Sequence, residues 1–79
     1  VYLTDSLKVK TIFNIQSGII KRMIGELDKS VYYFQTALKL GKIAQNPHHQ
    51  FLTLNCLANT YRCQKNFSEA LETIDQAIR

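Results

Sequence analysis

The sequence predicts an all-α fold of four helices arranged as two tandem hairpins. Three observations predict it. Helix breakers are scarce, with one Pro and three Gly in 79 residues. Apolar residues recur at three- and four-residue spacing along most of the chain, the mark of one buried helix face, and no useful run of β-alternation occurs. The pattern also returns on itself after 40 residues: Phe34-x-x-Ala37-Leu38 overlies Ile74-x-x-Ala77-Ile78.

The first helix is expected to start at Thr4-Asp5-Ser6, whose side-chain oxygens suit an N-cap. Leu7, Ile12, Ile15, Ile19 and Met23 form its stripe. Gly25 ends it, because glycine adopts a left-handed conformation past a helix at little cost. The second helix carries Leu27, Val31, Phe34 and Leu38, with Ala37 and Gly41 beside them, and runs to about Gln45. Asn46-Pro47 stops it and starts the third. Pro disfavours helix in the residue before it, Asn caps, and Pro suits the first helical position because it has no N–H to leave unpaired. The third helix presents Leu54, Leu57, Ala58 and Tyr61. Asn66 is expected to cap the fourth with Glu69 three residues on, as in a capping box. That helix shows Phe67, Ala70, Leu71, Ile74, Ala77 and Ile78 and is still helical in pattern at Arg79.

The 40-residue offset also pairs Gly18 with Ala58, Gly25 with Lys65, Leu27 with Phe67, Ser30 with Ala70 and Ser6 with Asn46. Small residues fall on small ones, where helices press close. The large ones (Phe34, Tyr61, Phe67, Ile74) are expected to fill the space between helices.

Together these residues resemble the tetratricopeptide repeat. The second unit carries the match in Leu54, Leu57, Ala58, Tyr61, Phe67, Ala70, Leu71, Ile74 and Ala77, the first in Gly18, Gly25, Leu27, Phe34, Ala37 and Leu38. The resemblance implies a right-handed α-solenoid, with repeat one over about residues 6–45 and repeat two over about 46–79, its last helix cut short. Two departures stand out. The period is 40 rather than about 34 residues, Lys42 standing where the unit normally ends in proline, and Asn14, Ser17 and Lys21 occupy positions that prefer apolar side chains. The longer unit resembles arrays in Rap/PlcR-type bacterial peptide-sensing regulators. It is also similar to LGN-type scaffolds, whose repeats contain segments like LANTY (57–61) and NFSEA (66–70).

Composition narrows the function classes. No apolar run approaches the roughly 20 residues of a membrane span. No signal peptide is visible from Val1, and the chain reads as a piece of a longer protein. The formal charge is +4, concentrated in residues 1–50, which hold seven Lys/Arg against three acids. This is a solvated helix surface rather than a dense stripe with an aromatic platform, so no direct nucleic-acid partner is expected. Binding through Lys8, Lys10, Lys21 and Arg22 stays as an alternative, with steep salt dependence as its signature. Cys56 and Cys63 lie about 10.5 Å apart along one helix, too far for a disulfide, and fit a reducing, cytoplasmic setting.

Catalytic signatures are missing. There is no Gly-rich phosphate loop, H-E-x-x-H or C-x-x-C, so no enzyme, cofactor or metal is expected. His48 and His49 diverge by about 100° on a helix instead of converging on a metal. Glu69, Glu72 and Asp75 read as a solvated stripe. What remains is a surface. Asn55, Asn59 and Arg62 share one face of the third helix, where an Asn amide can pair with a peptide backbone and Arg62 can take a carboxylate in a fork. The matching positions on the first helix are Ile15, Ile19 and Arg22, flanked by Ile12 and Met23. This apolar stripe is either half of a ligand groove or buried against a neighbour, and burial is the favoured reading. The expectation is a non-catalytic module holding a peptide or protein segment in a concave groove, within a larger bacterial regulator. The alternative is a structural or dimerisation segment, and self-association through exposed helix faces is expected.

Overall fold

The computed structural model describes the backbone of residues 2–78 and the side chains of residues 6–78. Four helices follow one another: α1 (Tyr2–Met23), α2 (Leu27–Ile43), α3 (Pro47–Cys63) and α4 (Phe67–Ile78). Each packs on its neighbours in the chain, and α1 also touches α3. The first helices of the two hairpins thus stand side by side, with α2 wedged behind them, in a slab of 40 × 29 × 13 Å.

The α1 start differs from expectation. Thr4, Asp5 and Ser6 lie inside the helix, which already runs from Tyr2. No Pro or Gly stands there to break it, and such residues cost a helix interior well under about 1 kcal/mol each. The Val1 end and Arg79 lie outside the described residues. The Asn46 cap forms as expected: its Oδ1 accepts from the His49 N–H at 3.1 Å, with Pro47 opening α3. Asn66 accepts through its main-chain carbonyl, from the Ala70 N–H at 3.1 Å.

All three turns are built alike. A residue with positive φ stands at Gly25 (86°), Gln45 (53°) and Lys65 (63°). In each turn this residue's N–H donates to the carbonyl three back, and the next N–H to the carbonyl five back, as in Glu26 to Lys21, Asn46 to Gly41 and Asn66 to Tyr61. This is the hydrogen-bond pattern of a Schellman stop, which satisfies the last carbonyls of each helix. Only the first turn uses glycine. Gln45 and Lys65 hold the same conformation at a cost of about 1 kcal/mol.

The core is small and lies where α1, α2 and α3 meet: Ile15, Phe34, Ala37, Cys56 and Leu57, with Ile19, Val31 and Tyr61 against it. Phe34 is fully buried. A Cβ placed on Gly18 would lie 2.7–2.9 Å from three of its ring carbons, so α1 approaches α2 this closely only because residue 18 lacks one. Phe67 and Ile74 do not fill helix gaps as expected; both are exposed. Their mates on α2 are covered by α3, and no described helix covers α4 in the same way.

The interior is also richer in threonine than the apolar pattern suggests. Thr11, Thr53, Thr60 and Thr73 are buried. Thr11 and Thr73 return their hydroxyls to the carbonyl four residues back, at 2.7 and 2.8 Å. Thr60 does so at 3.2 Å, while the Thr53 hydroxyl has no partner.

Candidate interaction surface

The two units are joined by a short polar chain through the core. Ser30 Oγ, on α2, donates to the Gly18 carbonyl of α1 at 2.7 Å and lies 3.2 Å from Thr60 Oγ1 on α3. Thr60 Oγ1 in turn lies 3.2 Å from the Cys56 carbonyl, which also accepts from Arg22 Nη1 at 3.4 Å. Two hydroxyl protons serve three contacts. The shortest takes the Ser30 proton, so Thr60 shares its proton between Ser30 and Cys56. The chain fixes how far α3 stands from α1 and sets the face they present together.

Sequence patterning grouped Ile15, Ile19 and Arg22 with Asn55, Asn59 and Arg62, and the structure treats the two trios differently. Ile15 is 3% exposed, inside the core, so it is not available to a partner. Ile19 is half-buried against the core, and Arg22 is half-buried with its guanidinium on α3. The reason is position: α3 covers this side of α1. On the corresponding side of α3, Asn55 and Arg62 are exposed and Asn59 is half-buried. The flanking residues go the other way, for Ile12 and Met23 are exposed. Spacing of i, i+7 and i+11 puts Ile12, Ile19 and Met23 on one face of α1, and the offset repeats it on α3 as Leu52, Asn59 and Cys63. Leu52 is partly exposed, and patterning missed it although it is the offset mate of Ile12.

The combined face therefore has an apolar half on α1 (Ile12, Ile19, Met23) and a mixed half on α3 (Leu52, Asn55, Asn59, Arg62). It can shield apolar side chains, pair with a peptide backbone and hold an anion. The remaining polar positions are structural. Asn14 Nδ2 donates to the Lys10 carbonyl at 2.8 Å. Lys21 pairs with Glu26 at 2.8 Å, and this hydrogen bond holds the Glu26 carboxyl below its usual range and raises the Lys21 ammonium. At Cys56, burial pushes the thiol up against the opposing effect of nearby Arg22, which leaves it less nucleophilic than an ordinary cysteine. Both cysteines are free. Among the described residues no His, Cys, Asp and Glu cluster could hold a metal, and no helix is long and apolar enough to cross a membrane.

A family model described as tetratricopeptide repeat matches residues 11–79. No curated protein and no solved structure gives a significant match to the chain.

Proposed function

The chain belongs to the tetratricopeptide repeat family, and we propose that it binds a peptide or protein segment along the paired inner face of α1 and α3. Repeats of this family generally mediate protein–protein interaction and are typically non-catalytic. The supporting observation is the division of that face: exposed Ile12 and Met23 with half-buried Ile19 on α1, beside Asn55, Asn59 and Arg62 on α3. An extended or helical segment lies in the groove, its apolar side chains on Ile12 and Met23. Its backbone amides pair with Asn55 and Asn59, and a carboxylate meets Arg62. Ile15 and Arg22, occupied by packing, take no direct part. The 40-residue unit supports a place in a larger bacterial regulator that senses a peptide, and the two free thiols support a cytoplasmic setting.

The test is selection of binders from a displayed random peptide library, followed by fluorescence anisotropy on the enriched peptides. The Asn55→Ala, Asn59→Ala pair weakens binding about tenfold or more, the scale of lost hot-spot contacts, with the helical circular dichroism unchanged. Binding that survives both this pair and Met23→Ser places the site elsewhere and refutes the reading.

A further inference from the structure

The two walls of the groove, α1 and α3, touch each other lightly, and α2 lies between them. Their direct polar contact is Arg22 Nη1 on the Cys56 carbonyl, at 3.4 Å close to the limit of a hydrogen bond. The link through α2 is shorter at every step. Ser30 Oγ lies 2.7 Å from the Gly18 carbonyl and 3.2 Å from Thr60 Oγ1, which lies 3.2 Å from the Cys56 carbonyl. Ser30 and Thr60 are fully buried. Each end of this chain adjoins a groove residue. Gly18 precedes Ile19 on α1, Thr60 follows Asn59 on α3, and Ile19 and Asn59 are mates under the 40-residue offset. Packing alone does not demand the Ser30 hydroxyl. In the second unit Ala70 takes the place of Ser30, and it is buried too, so a methyl suffices to fill such a space.

We infer that Ser30 is a positioning residue of the groove: its hydroxyl, with that of Thr60, holds α1 and α3 at the spacing a bound segment must span. The inference rests on the groove reading above and adds what sets the groove's width. Apolar burial is non-directional, so Ile15, Phe34 and Leu57 supply cohesion without fixing a distance. A hydrogen bond has a narrow optimum in distance and angle, and a buried polar group drawn away from its partner loses that bond without gaining water. The proton count shows which link matters. Ser30 gives its proton to α1, while Thr60 divides one proton between Ser30 and a carbonyl of its own helix. Remove the Ser30 oxygen, and the Thr60 hydroxyl turns wholly to the Cys56 carbonyl. No hydroxyl is left without a partner, so the fold survives, but α1 has lost its tie to α3 through α2. A ligand in the groove never touches Ser30, so its effect on binding is carried by the walls.

The test has two arms, both on the whole chain. The first needs no ligand. Spin labels on Met23→Cys and on the native Cys63, exposed offset mates on the two walls, report the wall-to-wall distance by double electron–electron resonance. Mass spectrometry checks that buried Cys56 carries no label. Ser30→Ala is expected to lengthen and broaden the distance distribution. Thr11→Val, which removes a buried hydroxyl bonded only within α1, is expected to leave it unchanged. Thr60→Val cuts the same chain from the other side and repeats the test if Ser30→Ala fails to fold. The second arm measures fluorescence anisotropy with the tightest peptide from the displayed library, under conditions where urea melts show every variant fully folded. Ser30→Ala weakens binding about three- to tenfold, the usual scale for a residue acting at a distance, and Thr11→Val does not. Asn59→Ala then costs less affinity in the Ser30→Ala background than alone, because the α3 wall has already moved. A distance distribution that Ser30→Ala and Thr60→Val leave unchanged overturns the inference, whatever the peptides do. So does an affinity loss equal in Thr11→Val and Ser30→Ala. A library that yields no binder refutes the groove reading instead, and the distance arm alone then decides whether Ser30 sets the spacing.

Discussion

Replacing Gly18 by Ala sets two effects of opposite sign against each other. Ala is the better helix former by about 1 kcal/mol, and position 18 lies inside α1. The new Cβ would meet three carbons of the Phe34 ring at 2.7, 2.8 and 2.9 Å, where carbon atoms rest at about 3.5–4.0 Å. Either helix or ring must then yield by about 0.6–0.8 Å. The ring is fully buried among Ile15, Ala37, Cys56 and Leu57 and has no free space to enter. Moving α1 away would stretch the 2.7 Å bond from Ser30 to the Gly18 carbonyl. Overpacking of this kind costs about 1–3 kcal/mol, so the expected net loss is about 1 kcal/mol, and at most about 2. Urea denaturation followed at 222 nm, at low chain concentration, measures it. The second unit suggests the control, for its residues at these positions are Ala58 and Ile74. Adding Phe34→Ile to Gly18→Ala should show a favourable coupling of about 1 kcal/mol in a double-mutant cycle. A Gly18→Ala variant that is more stable than wild type, or a cycle that closes with no coupling, refutes the reasoning.

Thr53→Val should leave stability unchanged or raise it by about 1 kcal/mol, since a buried hydroxyl without a partner gives way to a methyl of the same shape. Thr60→Val should instead cost about 1 kcal/mol by cutting the chain between units, and equal effects in urea melts would contradict both. Lys65→Gly and Gln45→Gly should each raise the thermal midpoint by relieving a left-handed residue, a gain of about 0.5–1 kcal/mol, whereas Gly25→Ala should lower it; the same sign at all three positions would be inconsistent with the turn geometry. Glu26→Gln should destabilise the chain at neutral pH but not in acid. The carboxyl is lowered in the folded state by its bond to Lys21, so its contribution is present above the ordinary value of about 4.3 and fades as pH falls through the lowered one. A gap between variant and wild type that persists in acid counts against the pair.

Helix boundaries were legible wherever a residue type has one physical use. Asn46-Pro47 stopped one helix and capped the next, and Gly25 turned left-handed. Gln45 and Lys65 were not legible as left-handed residues, because nothing in Gln or Lys favours that conformation and only the hydrogen bonds of the turn impose it. The offset paired the units correctly but could not say which pairs are covered. Periodicity reveals that Ile12, Ile15 and Ile19 share a broad face; it does not reveal that α3 stands over Ile15 and leaves Ile12 open. The same limit hid the exposure of Phe67 and Ile74, whose α2 counterparts are covered only because α3 follows them. The Ser30–Thr60 contact escaped notice because Ser30 was matched to Ala70 by size alone, and a polar atom at a small-residue position was the signal available.

The three turns recur every 20 residues, at 25, 45 and 65, while the side-chain pattern recurs only every 40. At the level of the main chain, then, a turn within a hairpin cannot be told from a turn between hairpins. Nothing in the connectors marks a helix as inner or outer; that parity is written entirely in the side chains, above all in Gly18 against Phe34 and Ser30 against Thr60. Removing one helix with its turn, such as residues 27–46, would leave every remaining connection stereochemically sound and yet place α3 in the frame of α2. The side chains of α3 would then meet the wrong neighbours, so the expected product is a chain with helical circular dichroism and no cooperative melt.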